Sequence, residues 1–226
     1  MSPLAVLFLL IITPALALCL ALIGLETLGN NILGWFLLVF GIAYLAGGVI
    51  YYFIRREPFW NSANDGRTSR EEKGDRSFWL LMPGFLVAFF APPLEWMYLP
   101  AILPRMIWIQ IAGLGLILVA VALLIWARAY IRGQYTGHVE VKTDHHLITS
   151  GPYRVIRHPS YSGLILMTLG VVLGYASMIG LAGILFLLLP SLAYRVVVEE
   201  RLLIGMFGQE YRAYQRRTKR LIPFLW

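Results

Sequence analysis

Two clusters of polar residues carry whatever chemistry this chain performs, and each is set against apolar sequence. The first is Thr149–Gly163, T-S-G-P-Y-R-V-I-R-H-P-S-Y-S-G, which gathers Tyr153, Arg154, Arg157, His158 and Tyr161. Gly151-Pro152 and His158-Pro159 punctuate it, because the residue before a proline is driven out of the helical region. A constrained loop of cations and aromatic rings suits an anionic or zwitterionic ligand. The second cluster is Arg195, Glu199 and Glu200. Arg195 and Glu199 stand four residues apart and so share a helix face. A largely apolar run precedes Arg195 and three valines follow it, which sets the guanidinium at or below a membrane surface. A charge at that depth costs on the order of 2–3 kcal/mol, and residues that bear such a cost usually have a function.

Other chemistries find little support. The histidines are His138, His145, His146 and His158, and adjacent side chains such as His145-His146 rarely reach one ion. With no H-x-x-x-H or C-x-x-C pattern, no metal site is expected. Cys19 is the only cysteine and lies in the first apolar run, which excludes an intrachain disulfide. Neither G-x-G-x-x-G nor G-x-x-x-x-G-K-[ST] occurs, so Rossmann and P-loop nucleotide binding are unsupported. G-x-S-x-G is also missing, and Ser160 lacks an ordered base for nucleophilic catalysis.

The elements that position these clusters must be membrane helices. Of 226 residues, 59% are hydrophobic and only 14% charged, and the mean hydropathy is +0.71. A soluble domain of this size cannot hide so much apolar surface, whereas a multi-pass membrane protein shows it to lipid. The net charge of +7 raises nucleic acid as a partner. The basic residues fall in the gaps between apolar runs, however, as in cytoplasmic loops facing anionic headgroups, so no nucleic acid is expected. No Lys or Arg precedes Arg55, so the first run lacks the basic flank of a signal peptide and reads as an uncleaved helix.

The expected spans are Leu4–Gly24, kinked at Pro14, then Ile32–Ile54, then Phe78–Ala91, a run followed by Pro92-Pro93 that is either a short span or a tilted, broken one. Met106–Ala127 follows, and then a hairpin of Leu164–Met178 and Leu181–Val198 turning at Ile179-Gly180, its second arm kinked at Pro190. The fold class is therefore all-α, a polytopic helical bundle of six spans with both ends inside, or five if Phe78–Ala91 does not cross. The cation-rich segments Arg55–Arg76 and Arg128–Arg157 are cytoplasmic on this reading. The tail Glu199–Trp226 is amphipathic and basic and lies on the same face. Residues 1–130 form an N-terminal membrane region, and 131–226 carry the chemistry.

Four blocks then identify a likeness. Leu147–Gly163, R-V-V-V-E-E at Arg195–Glu200, F-G-Q-E-Y-R-A-Y at Phe207–Tyr214 and I-P-F at Ile222–Phe224, in that order and spacing, resemble the isoprenylcysteine carboxyl methyltransferase family, a group related to the membrane phospholipid methyltransferases. The resemblance implies a methyltransferase using S-adenosyl-L-methionine, bound on the cytoplasmic side. It implies a cofactor pocket of His138, His145, His146, Leu147, Ile148, Tyr153, His158, Pro159, Ser160, Tyr161 and Glu199. Arg195 matches the arginine that orients the acceptor carboxylate, and Arg157 is a candidate second cation. Tyr211 and Tyr214 belong to a block that reads as a lid. The implied acceptor is a lipophilic carboxylate such as an isoprenylcysteine. A phospholipid amine or a small thiol is the alternative, with His158 or Glu200 as the base that such an acceptor needs; a non-catalytic membrane protein is the rival from another class.

Overall fold

In the computed structural model, the residues described are 13–55, 77–131 and 147–221. Among the described residues seven helices follow one another: α1 (Thr13–Thr27), α2 (Leu33–Arg55), α3 (Ser77–Tyr98), α4 (Ile107–Tyr130), α5 (Pro159–Gly174), α6 (Met178–Phe207) and α7 (Gln209–Arg217). No strand occurs among the described residues, and a single parallel bridge joins Ile156 to Lys219. The all-helical class expected from hydropathy is the one observed. Leu80–Tyr98, Ile107–Tyr130 and Met178–Phe207, of 19, 24 and 30 residues, are long and apolar enough to cross a membrane. Pro159–Gly174 is equally apolar but has 16 residues, a rise of about 24 Å.

Two expectations about boundaries are corrected. Pro92-Pro93 does not end the third run, for α3 continues through both prolines to Tyr98. In an apolar surround the remaining backbone groups are best satisfied by staying helical, and proline's missing N–H removes only its own bond. Both prolines are buried, and the Pro92 ring lies where a Cβ on Gly180 would stand, 2.6 Å away. The hairpin turns at Tyr175-Ala176-Ser177, upstream of Ile179-Gly180. Ala176 takes a positive φ of 49°, and the Ser177 hydroxyl caps α6 by accepting from Gly180 N at 2.8 Å. Near Pro190, where the helix is expected to be irregular, a π-helical turn runs over Ile184–Leu188. Widening the helix there relieves the clash of the proline ring with the preceding turn.

The end of the molecule remote from the polar loop is tied by buried polar side chains. Asn31 Nδ2 donates to Gly174 O at 2.9 Å, and Ile32 N donates to Gln110 Oε1 at 3.0 Å. Glu95, 8% exposed, accepts from Met178 N at 3.1 Å, Ile179 N at 3.0 Å and the Ser177 hydroxyl. A carboxylate on the first N–H groups of α6 also complements the helix dipole. Between the ends, α4 crosses α5 with backbones in contact. A Cβ on Gly113 would lie 2.6 Å from both Gly170 O and Gly174 N, the close approach that small residues permit in membrane bundles. Leu33, Leu37, Phe89, Ile117 and Val171 fill the core beside this crossing.

Candidate active site

At the opposite end the loop before α5 folds into a short 3₁₀ turn, Gly151–Arg154. Gly151 adopts φ +60°, and a Cβ there would stand 2.6 Å from the Tyr130 ring at the end of α4. Glycine is thus needed for both the backbone conformation and the aromatic roof over it. Pro159 occupies the first turn of α5, where its missing N–H costs nothing. The loop then pairs with the segment after α7. Arg157 N donates to Lys219 O at 2.7 Å, His158 N to Arg220 O at 3.0 Å and Lys219 N to Val155 O at 3.1 Å. Ser162 Oγ adds a bond to Leu221 O at 2.6 Å.

The last turns of α6 bring acid and base to this loop. Arg195, 7% exposed, donates from Nε to the Tyr161 hydroxyl at 2.8 Å. That hydroxyl donates onward to Glu199 Oε2 at 2.6 Å. Guanidinium, phenol and carboxylate form one polarised chain whose direction is fixed, since a guanidinium only donates. The His158 ring stacks on Tyr161 with centroids 5.5 Å apart and planes 15° from parallel. His158 lies between two carboxylates, with Nδ1 3.8 Å from Glu199 Oε2 and Nε2 3.6 Å from Glu200 Oε1.

Glu200 is engaged differently. Its carboxylate, 4% exposed, accepts from Arg157 Nε at 2.8 Å and from Arg220 Nε and Nη2, each at 3.1 Å. Arg157 is itself spread over three partners, for Nη1 also donates to Gln215 O at 3.2 Å and to Thr218 O. The guanidinium expected as a second cation toward an acceptor is therefore turned into the protein.

The α7 tyrosines face inward. Tyr214 Oη donates to Tyr153 O at 2.6 Å, and Tyr211 is 1% exposed. Burial, reinforced for Tyr211 by the Glu200 charge and opposed in both by Arg157, pushes the two phenols well above their usual range. They remain hydroxyl donors throughout the physiological range. Two buried polar atoms lack a hydrogen-bond partner among the described residues, His158 Nε2 and Tyr211 Oη.

Of the residues expected to line a cofactor pocket, His158, Tyr161 and Glu199 are brought together, joined by Arg195. Tyr153 and Pro159 are buried in the loop, while Leu147, Ile148 and Ser160 are half-buried along it. His138, His145 and His146 lie outside the described residues, as does Ile222–Phe224. Sequence reasoning missed Ser162, Thr218 and Arg220. The available signal was Glu200 itself, a second acid beside Glu199 that needs its own cation if buried.

Residues 108–210 match the phospholipid methyltransferase family. Protein-S-isoprenylcysteine O-methyltransferase B of Arabidopsis thaliana is 28% identical over 120 residues, 52% of this chain and 61% of that protein. Methanethiol S-methyltransferase 1 of Bradyrhizobium diazoefficiens is 30% identical over 149 residues, 58% of this chain and 50% of that protein. The chain thus spans 61% and 50% of the lengths of these relatives. Among solved structures, the eukaryotic intramembrane Ras methyltransferase, isoprenylcysteine carboxyl methyltransferase, superposes with a TM-score of 0.57 at 22% identity. That likeness covers 94% of this chain and 74% of the solved one, and shows a shared fold.

Proposed function

We propose that this chain, whose residues 108–210 belong to the phospholipid methyltransferase family, is an integral-membrane, S-adenosyl-L-methionine-dependent methyltransferase acting on the carboxylate of a lipophilic acceptor of the isoprenylcysteine type. The chain Arg195–Tyr161–Glu199 carries the reading. It sets a buried guanidinium and a part-exposed carboxylate side by side at the end of a helix long enough to span a membrane. The cations flanking the apolar runs support a cytoplasmic position for this end, among membrane lipids.

The residues present fit the cofactor. Glu199 offers a carboxylate whose side chain is 26% exposed, suited to a cationic or hydroxyl-bearing ligand. The buried Tyr211 Oη, without a hydrogen-bond partner among the described residues, is a polar atom that such a ligand would satisfy. Tyr153 and the His158-Pro159-Ser160-Tyr161 corner would complete the grip. When bound, S-adenosylmethionine supplies an electrophilic methyl on a sulfonium centre. Arg195 would hold the acceptor carboxylate through a charge-assisted contact, with its Nε fixed by the Tyr161 hydroxyl. An ionised carboxylate needs no base, so the chain contributes positioning and exclusion of water.

A second reading, a thiol or phospholipid-amine acceptor, draws on the methanethiol methyltransferase relative and the family matched. Those acceptors must lose a proton. With Glu200 committed to two arginines, His158 is the remaining candidate base of the two expected. Release of S-adenosylhomocysteine from prenylcysteine, phosphatidylethanolamine and thiol acceptors separates these readings. Arg195→Ala is expected to abolish the carboxylate reaction alone. Full carboxylate turnover by that variant would refute Arg195's role, and failure of purified protein to bind S-adenosylmethionine by calorimetry would refute the enzyme.

A further inference from the structure

The carboxylate of Glu200 joins three separate stretches of chain. From α6 it receives Arg157 of the loop at 2.8 Å and Arg220 of the segment after α7 at 3.1 Å. Arg157 then reaches Gln215 O and Thr218 O, so one buried ion network fastens residues 215–220 beneath the loop. The backbone follows it, with Arg157 N and His158 N bonded to Lys219 O and Arg220 O. On its other side Glu200 Oε1 lies 3.6 Å from His158 Nε2. That ring stacks on Tyr161, the hydroxyl that joins Arg195 to Glu199. A carboxylate so engaged is not available to a ligand, yet His158 lies against it, and Tyr161 and Glu199 lie against His158.

We infer that Glu200 is a positioning residue: held by Arg157 and Arg220, it locks the segment 218–221 under the loop and thereby sets His158 and Tyr161 in the donor half of the site. This rests on the methyltransferase reading and extends it to residues that touch neither donor nor acceptor. A staple that only stabilised the fold would lower activity in proportion to folded protein. A positioning clamp shifts donor affinity more than the acceptor constant, because His158 faces Glu200 directly whereas Arg195 is anchored on α6 itself and is reached only indirectly, through Tyr161.

Arg220, 33% exposed at its side chain, is the member that can be altered most mildly. In the purified full chain, Arg220→Ala is expected to weaken S-adenosylmethionine binding by calorimetry and raise its KM about tenfold, through the loss of the partly exposed Arg220–Glu200 ion pair. The acceptor KM is expected to stay within about twofold. Arg220→Lys, which retains one donor, is expected to recover much of the affinity. Amide exchange at Arg157 and His158 is expected to accelerate in the Ala variant, and Thr218→Val should repeat the pattern more weakly. Donor affinity within twofold of the unaltered chain, or equal losses toward donor and acceptor that lysine does not rescue, would overturn the inference. Absence of donor binding by the unaltered chain would instead overturn the methyltransferase reading on which it stands.

Discussion

Replacing Tyr161 by phenylalanine tests the centre of the site with little steric change. The ring stacked on His158 is kept, and only the hydroxyl between Arg195 Nε and Glu199 Oε2 is lost, at 2.8 and 2.6 Å. Each bond has a charged partner and is worth about 1.5–3 kcal/mol. The two ends are not equally exposed to the loss. Glu199, 26% exposed at its side chain, recovers most of its share from water, whereas Arg195, 7% exposed, does not. A loss of about 1.5–2 kcal/mol in the orientation of Arg195 follows, or about 10- to 30-fold in kcat/KM for a carboxylate acceptor. Donor affinity is expected to move less than about threefold, since the Glu199 carboxylate stays in place. S-adenosylhomocysteine release at saturating donor with prenylcysteine as acceptor measures the first quantity, and calorimetry the second. A Phe variant within twofold of the parent in kcat/KM, with unchanged melting, would refute the claim that the phenol orients the arginine.

Three further predictions concern other parts of the molecule. Glu95→Gln removes the charge that caps α6 at the remote end; it is expected to cost about 1.5–3 kcal/mol and lower the melting temperature in detergent while leaving donor affinity unchanged. Gly113→Ala drives a Cβ to 2.6 Å from backbone atoms of Gly170 and Gly174, so α4 and α5 must separate, at a cost of about 1–3 kcal/mol by thermal melting; unaltered melting would show the crossing to be loose. Tyr211→Phe removes a buried hydroxyl with no partner among the described residues. The cofactor-free protein is expected to melt at the same temperature or higher while donor affinity falls about three- to tenfold, and undiminished affinity would remove Tyr211 from the donor site.

The helical class and the local geometry of each polar cluster were legible because both rest on short-range rules. Four-residue spacing put Arg195 and Glu199 on one face, and the prolines at 152 and 159 marked a rigid corner, as the 3₁₀ turn and the start of α5 confirm. Other features depended on contacts far apart in sequence. Pro92-Pro93 read as the limit of a short or broken span, yet apolar surroundings made continued helix the better way to satisfy the backbone. The hairpin turn could not be placed among apolar residues because its cap, Glu95, comes from α3, 82 residues before Ser177. Arg220 read as one more cation of a basic tail, and Glu200, 20 residues upstream, gives it a buried partner. Arg157 illustrates the limit most directly. Its type and place suggested a ligand contact, and its Nε and Nη1 are committed to Glu200 and to the backbone at 215 and 218.

The bond from Arg157 to Thr218 spans 61 positions, which has a consequence for biosynthesis. At about 5–20 residues per second, the loop is made some 3–12 s before the segment that completes it. During that interval α5 and α6 can enter the bilayer with Arg157, His158 and Glu200 lacking their partners from 215–220. The donor side is therefore assembled last, and a ribosome stalled in that interval would leave an inserted but incompetent protein.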